Sequence, residues 1–290
     1  MASLLNGGIA FITGAGSDSR LKNDSTPGIG RATGKQFAHY GAKGLVLTDI
    51  NEAGLQQTKE EIQAKYPAIE IETIQMDVTN ESSIVSAHKA AVERFGRIDY
   101  AVNNAGTPGH MVASSESSFS EFKFGIDVNL FGVWMCQREQ LKQMESQQAD
   151  ERFFPIPVDA LERRDETQET GAKGSIVNLS SIYGHTCGKN TTSYCAAKHA
   201  VLGMTRSDGA NYAKSGIRVN AVCPGYTDTP MLRMPGAGRS VGMDEYLRVC
   251  PMGRLGEARE IADVIVFLSS PMASYVTGQD IPVDGGFLIV

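Results

Sequence analysis

Short apolar runs recur along this 290-residue chain at Ile9–Thr13, Gly44–Thr48, Ile69–Met76, Ile98–Asn103, Ser175–Leu179, Ile217–Val222 and Ile281–Val283. Most are apolar at consecutive positions rather than at every second one. That pattern suits strands covered on both faces, as in a parallel sheet. Stretches 29–40, 52–65, 81–95, 119–145, 194–213 and 257–269 fall between the runs and predict helices. The alternation predicts an α/β fold with a doubly wound parallel sheet. Neither an internal repeat nor a Pro/Gly linker divides the chain, so one domain over 1–290 is expected. Two stretches break the pattern and predict surface insertions: 18–27, and 146–173, which is charged and aperiodic. The second is expected to be a solvated loop, with docking of its "FFPIPV" segment on the body as the alternative.

A net charge of −6 and a pI near 5.5 argue against nucleic acid or an anionic membrane as the main partner. The five cysteines (Cys136, Cys187, Cys195, Cys223 and Cys250) form no CxxC pair, so free thiols, a reducing compartment and no metal site are expected. The first residues lack a basic region and a long apolar run, and no stretch approaches the roughly 20 apolar residues of a membrane helix. A cytoplasmic protein acting on a small molecule is the expectation.

The stretch "TGAGSDSRLKNDSTPGIG" over 13–30 begins and ends like a phosphate-binding turn. Without Asp18 to Pro27 it reads "TGAGSGIG", between a strand and a helix starting at Ile29. Gly14, Gly28 and Gly30 permit a tight turn and a close backbone approach. The helix N-terminus offers N–H groups and a partial positive charge to a pyrophosphate. Asp49 ends the second strand, 19 residues after Gly30, where a carboxylate can accept hydrogen bonds from ribose hydroxyls. It would repel a 2′-phosphate and so favours NAD over NADP. Arg20 and Lys22 in the insertion would favour NADP only by folding back over the ribose, at a cost in side-chain entropy.

Tyr194 and Lys198 in "YCAAK" lie on one helix face. A neighbouring ammonium lowers a phenol's pKa, which makes Tyr194 a candidate acid/base for an alcohol or ketone. Cys195 points about 100° away from Tyr194 on that helix and receives no chemical role.

These motifs, with "MDVT" at 76–79, "NNAG" at 103–106, "VN" at 128–129, "IVNLSS" at 176–181, "IRVNAVCPG" at 217–225 and "DGG" at 284–286, extend over nearly the whole length. The chain resembles the short-chain dehydrogenase/reductase family, whose fold is the Rossmann type. The resemblance implies Tyr194 as general acid/base, Lys198 as the group that lowers its pKa and binds the nicotinamide ribose, and Ser181 as the donor to the substrate oxygen. It implies that Asn129 holds a water in a proton relay toward Lys198. Asp77 and Val78 would bracket the adenine, and Asn104, Ala105 and Gly106 would line the cofactor. Thr227 and Thr229, after Pro224 and Gly225, would anchor the carboxamide, with Gly14, Gly28, Ile29, Gly30 and Asp49 as above.

Family topology also suggests substrate-facing positions: His110, Tyr183, His185, Cys187, Met231, Leu232, Met234, Met243, Tyr246 and Leu247. The methionines suggest an adaptable apolar pocket. A homotetramer is implied, with helices 119–145 and 194–213 and the "DGGFLIV" tail as contact surfaces. The leading expectation is an NAD(H)-dependent alcohol dehydrogenase or ketoreductase for a medium-sized, largely apolar, cyclic or terpenoid-like alcohol. A dinucleotide-sensing protein and a non-redox biosynthetic enzyme on the same scaffold stay open as alternatives.

Overall fold

The computed structural model describes residues 3–16, 28–153, 171–233 and 247–290. The 18–27 insertion therefore lies outside the described residues, as do Arg20, Lys22, Met234, Met243, Tyr246 and the middle of 146–173. The elements in chain order are β1 (Ile9–Thr13), α1 (Ile29–His39), β2 (Gly44–Asp49), α2 (Glu52–Lys65), β3 (Glu70–Gln75), α3 (Glu81–Phe95) and β4 (Tyr100–Asn103). They continue with α4 (Phe119–Ile126), a π turn (Asp127–Phe131), α5 (Gly132–Ser146), β5 (Gly174–Leu179), α6 (Thr192–Asn211) and β6 (Ile217–Pro224). Short β7 (Thr227–Asp228) and β8 (Gly256–Glu257) precede α7 (Ala258–Ser269) and β9 (Asp280–Val283).

Seven strands form one parallel sheet in the order β3-β2-β1-β4-β5-β6-β9, as the α/β expectation requires. Its central strands are buried at every position, and successive residues serve opposite cores. Ala10, Ile12, Leu45, Leu47 and Tyr100 pack into the core that holds Phe37 of α1 and Ile265 of α7. Phe11, Val46 and Ala101 join the opposite core with Ile84 of α3 and Leu141 of α5. Two-sided burial is why the runs read as continuously apolar.

The predicted helix over 119–145 is in fact three pieces, because a π turn at Asp127–Phe131 separates α4 from α5. Ser118 begins α4 with a capping box: its Oγ accepts from the Glu121 N–H, and the Glu121 carboxylate accepts from the Ser118 N–H.

The expectation of a solvated loop over 146–173 is corrected at both described ends. Gln147 is buried; it accepts from the Ile98 N–H at 3.2 Å and donates to the Ile98 carbonyl at 2.8 Å. Asp150 and Ala172 form an antiparallel bridge, which closes the excursion on itself. Phe153 is buried edge-on against Tyr100, with ring centroids 5.6 Å apart. Gly8 makes this seat possible, since a Cβ there would lie 2.5 Å from the Tyr100 ring and 3.1 Å from that of Phe153. Apolar burial outweighs the charged composition of the flanks. Phe153→Ala should lower unfolding stability by about 3 kcal/mol in urea titration, the usual range for emptying a buried aromatic site. A loss below about 1 kcal/mol would show that the segment is not docked.

Candidate active site

Because every main strand runs the same way, β1, β2, β4, β5 and β6 all deliver their carboxyl ends to one rim. Ligands of open α/β sheets bind outside that rim. Between β1 and β4 the backbone approach is close. Thr13 Oγ1 accepts from the N–H groups of Asn104 and Ala105 at 3.0 and 2.9 Å. Asn104 Nδ2 donates to the carbonyls of Thr13 and Gly14 at 3.0 and 3.1 Å. Gly14 has φ +70°, and a Cβ there would stand 2.7 Å from Asn104 Nδ2. A Cβ on Gly30 would overlap the Gly14 carbonyl oxygen. Side chains are excluded at Gly14 and Gly30 by sterics. Gly28 is the N-cap of α1, whose first turn carries no acidic residue.

Asp49 closes the neighbouring corner. Its Oδ2 accepts from the Gly16 N–H at 2.8 Å and its Oδ1 from the Asn51 N–H at 3.0 Å. Asp77 Oδ1 accepts from the N–H and hydroxyl of Thr79 at 2.8 and 2.7 Å, which shapes the turn into α3. Val78 packs on Gly132, where a Cβ would come within 2.9 Å of it.

The centre of the rim is built on β5 and α6. Ser181 follows β5 and its Oγ accepts from the Tyr183 N–H at 3.1 Å. Ser180 Oγ donates to the Lys198 carbonyl at 2.9 Å, and Lys198 Nζ donates to the Leu179 carbonyl at 2.7 Å. These bonds fasten the middle of α6 to the end of β5. Lys198 Nζ lies 5.5 Å from the centre of the Tyr194 ring, and the Ser181 hydroxyl faces the Tyr194 phenol. Lys198, Ser181 and Asn129 are buried, while Tyr194 keeps part of its surface open.

Asn129 sits in the π turn. Its Nδ2 donates to the carbonyls of Thr107 and Gly125, both at 2.9 Å, and its Oδ1 accepts from the Thr107 N–H at 3.0 Å. Single π turns inside helices are frequent at functional sites. The absent side chain of Gly106 keeps space between two of these groups: a Cβ there would stand 3.0 Å from Asn129 Oδ1 and 3.9 Å from Lys198 Nζ.

Burial pushes the Tyr194 phenol up to about 12, against the opposing pull of the Ser181 hydroxyl. Burial also pushes the Lys198 ammonium down to about 8. The expectation that Lys198 draws Tyr194 toward neutrality is therefore corrected. Desolvation dominates both groups, and at neutral pH the phenol and the ammonium both hold their protons.

One cleft of about 170 Å³, partly open to solvent, joins these groups. Of the predicted site residues it is lined by Ile29, Asn104, Gly106, Asn129, Ser181, Tyr194, Lys198, Pro224, Gly225, Thr227 and Thr229. Thr227 Oγ1 donates to the Gly225 carbonyl at 3.0 Å and Thr229 Oγ1 to that of Thr227 at 3.3 Å. Gly14, Gly28, Gly30, Asp49, Asp77, Val78 and Ala105 are not among its lining residues, though each lies in the turn or strand end where the sequence placed it.

Of the expected substrate-facing set, Tyr183, Met231 and Leu232 line the cleft. His110 does not: it is exposed and pairs with Glu121 at 3.3 Å. His185 pairs with Asp280 at 2.9 Å, Cys187 is exposed, and Leu247 packs with Tyr226 and Ile182. The sequence reading missed Pro108, Met111 and Tyr226. Tyr226 was signalled by its place directly after Pro224-Gly225; Met111 carried no such signal. Tyr183 and Tyr226 share a hydroxyl–hydroxyl hydrogen bond of 2.7 Å.

Residues 9–151 match the family model described as short chain dehydrogenase, and residues 161–288 match one described as enoyl-(acyl carrier protein) reductase. Short-chain dehydrogenase srdC of Neurospora crassa is 38% identical, over 96% of this chain and 96% of its own. The chain belongs to the short-chain dehydrogenase/reductase family. It is also 34% identical to levodione reductase of Leifsonia aquatica, over 96% of this chain and 93% of that protein. A levodione reductase crystal structure superposes with a TM-score of 0.79 at 35% identity, covering 96% of each chain. Cis-4-hydroxycyclohexanecarboxylate dehydrogenase of Sinomonas cyclohexanicum is 34% identical, over 97% of both chains. As a member of this family the protein is an oxidoreductase of the NAD(P)-using class. Among the described residues, no helix is long and apolar enough to cross a membrane.

The depressed Lys198 pKa has a consequence for stability. Between about 8 and the ordinary 10.5, the unfolded chain holds a proton that the folded chain has released. Lys198 therefore makes stability rise with pH across that window, by at most about 1.4 kcal/mol per pH unit. Below the window its full burial cost remains. Urea unfolding of wild type minus Lys198→Met, at pH 7.5 and again near 9.5, should show this gain; a flat difference would refute the shift.

Proposed function

We propose that this protein is an NAD(H)-dependent oxidoreductase for a secondary alcohol or ketone of medium size, largely apolar and cyclic. The observation that carries this reading is the meeting of Ser181, Tyr194 and Lys198 at one cleft, beside the glycine-lined turn of β1. When bound there, the nicotinamide dinucleotide supplies the hydride donor or acceptor. The side-chain-free turn at Gly14 and Gly30 and the N-terminus of α1 suit its pyrophosphate. Asp49 suits its adenosine ribose. Asp77 and Val78 sit at the end of β3 for the adenine, with Asn104, Ala105 and Gly106 along the rim.

Tyr194 gives its proton to the substrate oxygen during reduction and takes it back during oxidation. Ser181 steadies the charge that develops on that oxygen. Lys198, held by the Leu179 carbonyl, stands ready to resupply the phenol. Asn129 has both amide hydrogens engaged, so a relay water would use the remaining acceptor capacity of its Oδ1, in the space that Gly106 leaves. Thr227 and Thr229 would hold the carboxamide end of the dinucleotide. Pro108, Met111, Met231 and Leu232 give the substrate end an apolar character. The name of the Sinomonas relative describes a cyclohexane ring bearing a hydroxyl group, which supports a cyclic alcohol here too.

The decisive experiment is a panel of cyclic alcohols and ketones with NAD(H) and NADP(H), followed by nicotinamide absorbance. Turnover with a higher kcat/KM for NAD(H) is expected, and Asp49→Ala should narrow the difference. A preference for NADP(H) would overturn the assignment to Asp49. Tyr194→Phe should lower kcat by at least about 100-fold while dinucleotide affinity stays within a few-fold. Retention of most of the rate would place the acid/base elsewhere. Binding with no turnover across the panel would favour the sensing or non-redox alternatives.

We also infer a homotetramer. Phe119, Phe124, Phe131 and Trp134 are exposed along α4, the π turn and α5, and Ile289 and Val290 are exposed at the tail. Apolar surface of this kind suits a subunit contact. Sedimentation velocity at micromolar concentration should give a tetramer; a 31 kDa species would overturn the inference.

A further inference from the structure

Behind the catalytic cluster lies a second group of reactive side chains that the oxidoreductase reading does not use. His185 Nε2 or Nδ1, Cys223 Sγ and a carboxylate oxygen of Asp280 all lie within 4.8 Å of one another. Three separate elements bring them together. His185 ends the turn that Ser181 caps, Cys223 is on β6, and Asp280 opens β9 opposite Ala221. No sequence spacing announces such a group, which is why the cysteine count alone predicted no metal site.

We propose that His185, Cys223 and Asp280 form a binding site for a zinc-like divalent cation, and that its occupancy inhibits the enzyme by restraining Ser181 and Pro224. The donor set is one imidazole nitrogen, one thiolate and one carboxylate oxygen. Zinc accepts this combination, whereas magnesium and calcium prefer oxygen throughout. Zn–S of about 2.3 Å and Zn–N of about 2.0 Å place neighbouring donors about 3.5 Å apart. The largest separation, 4.8 Å, must close by about 1.3 Å, and His185 is free of regular structure beyond its turn.

Asp280 is already oriented for this role. Arg206 Nη2 holds its Oδ1 at 2.7 Å, while its Oδ2 faces His185 Nε2 at 2.9 Å. A cation would enter between Oδ2 and the imidazole, leaving Arg206 as the outer partner that fixes the carboxylate. The partly exposed His185 gives the entry side, since Cys223 is fully buried. Cys223 is a free, buried thiol. Uptake forms an S–metal bond and releases that thiol proton to solvent. His185 donates a ring lone pair, and any proton on that nitrogen moves to the other nitrogen or to solvent. No electron is transferred.

The link to catalysis is covalent and short. Cys223 immediately precedes Pro224 of the cleft, and its thiol faces the Ser180 hydroxyl and the Ser181 N–H. His185 lies at the far end of the turn that begins at Ser181. A cation would clasp both segments together.

Cobalt(II) titration of the full-length protein reads binding without turnover, so it is independent of the substrate assignment. A sulfur-to-cobalt charge-transfer band in the near ultraviolet is expected, displaced by zinc. It should vanish in Cys223→Ser and need at least about 10-fold more cobalt in His185→Ala and in Arg206→Ala. Zinc should inhibit wild-type turnover reversibly, with chelator restoring it, and His185→Ala should keep basal activity while losing that sensitivity. Absence of the band, or a band unchanged in His185→Ala, would overturn the site. Equal zinc inhibition of wild type and His185→Ala would overturn the coupling to catalysis.

Discussion

The sheet is buried on both faces, and the rest of the structure depends on that constraint. A strand covered from both sides needs apolar side chains at every position, and its backbone groups must pair with neighbours. Parallel pairing with helical crossovers satisfies both needs at once. Its geometric result is that the ends of β1, β2, β4, β5 and β6 meet at one rim. The turn glycines, Asp49, Asn104, Ser181 and Pro224 all belong to that rim although they are spread over most of the chain.

Beneath the rim, buried polar side chains of four elements pair with one another. Asn103 Nδ2 donates to Gln140 Oε1 at 2.9 Å and to Asn178 Oδ1 at 3.0 Å. Asn178 Nδ2 donates to Gln137 Oε1 at 2.6 Å and to Thr205 Oγ1 at 3.0 Å. Gln137 Nε2 in turn donates to Asp208 at 2.5 Å. This chain of bonds ties β4 and β5 to α5 and α6, and an unmatched member would be costly in so dry a setting. It fixes the register of α6 against β5, and so the position of Tyr194 and Lys198 relative to Ser181. The low dielectric that makes the network strong also moves the two titrating groups. The phenol is held protonated and the ammonium is weakened, so each depends on its hydrogen bonds to stay placed.

Much of this architecture was legible because it rests on local patterns. The seven runs became the seven strands of the main sheet to within two residues at each end, and α3 matched at both ends. The π turn was not legible: a five-residue ring differs from an α turn by one hydrogen-bond step, and "DVNLF" is compatible with either. The start of the 146–173 stretch misled in the other direction. Its charged composition describes exposed side chains, whereas Gln147 and Phe153 are buried in contacts with residues far away in sequence.

The sequence by itself determined the class of fold, the order of the elements, the turn glycines and the placing of Tyr194 and Lys198 on one helix face. Each depends on periodicity, backbone sterics or fixed helical spacing, which are properties of neighbouring residues. Only the tertiary structure decided which groups face one another across strands. It set Tyr226 and Met111 in the cleft, removed His110 and His185 from it, and brought His185 and Cys223 to Asp280. It also decided the protonation of Tyr194 and Lys198, because desolvation depends on everything packed around a group and is not encoded by the four-residue spacing between them.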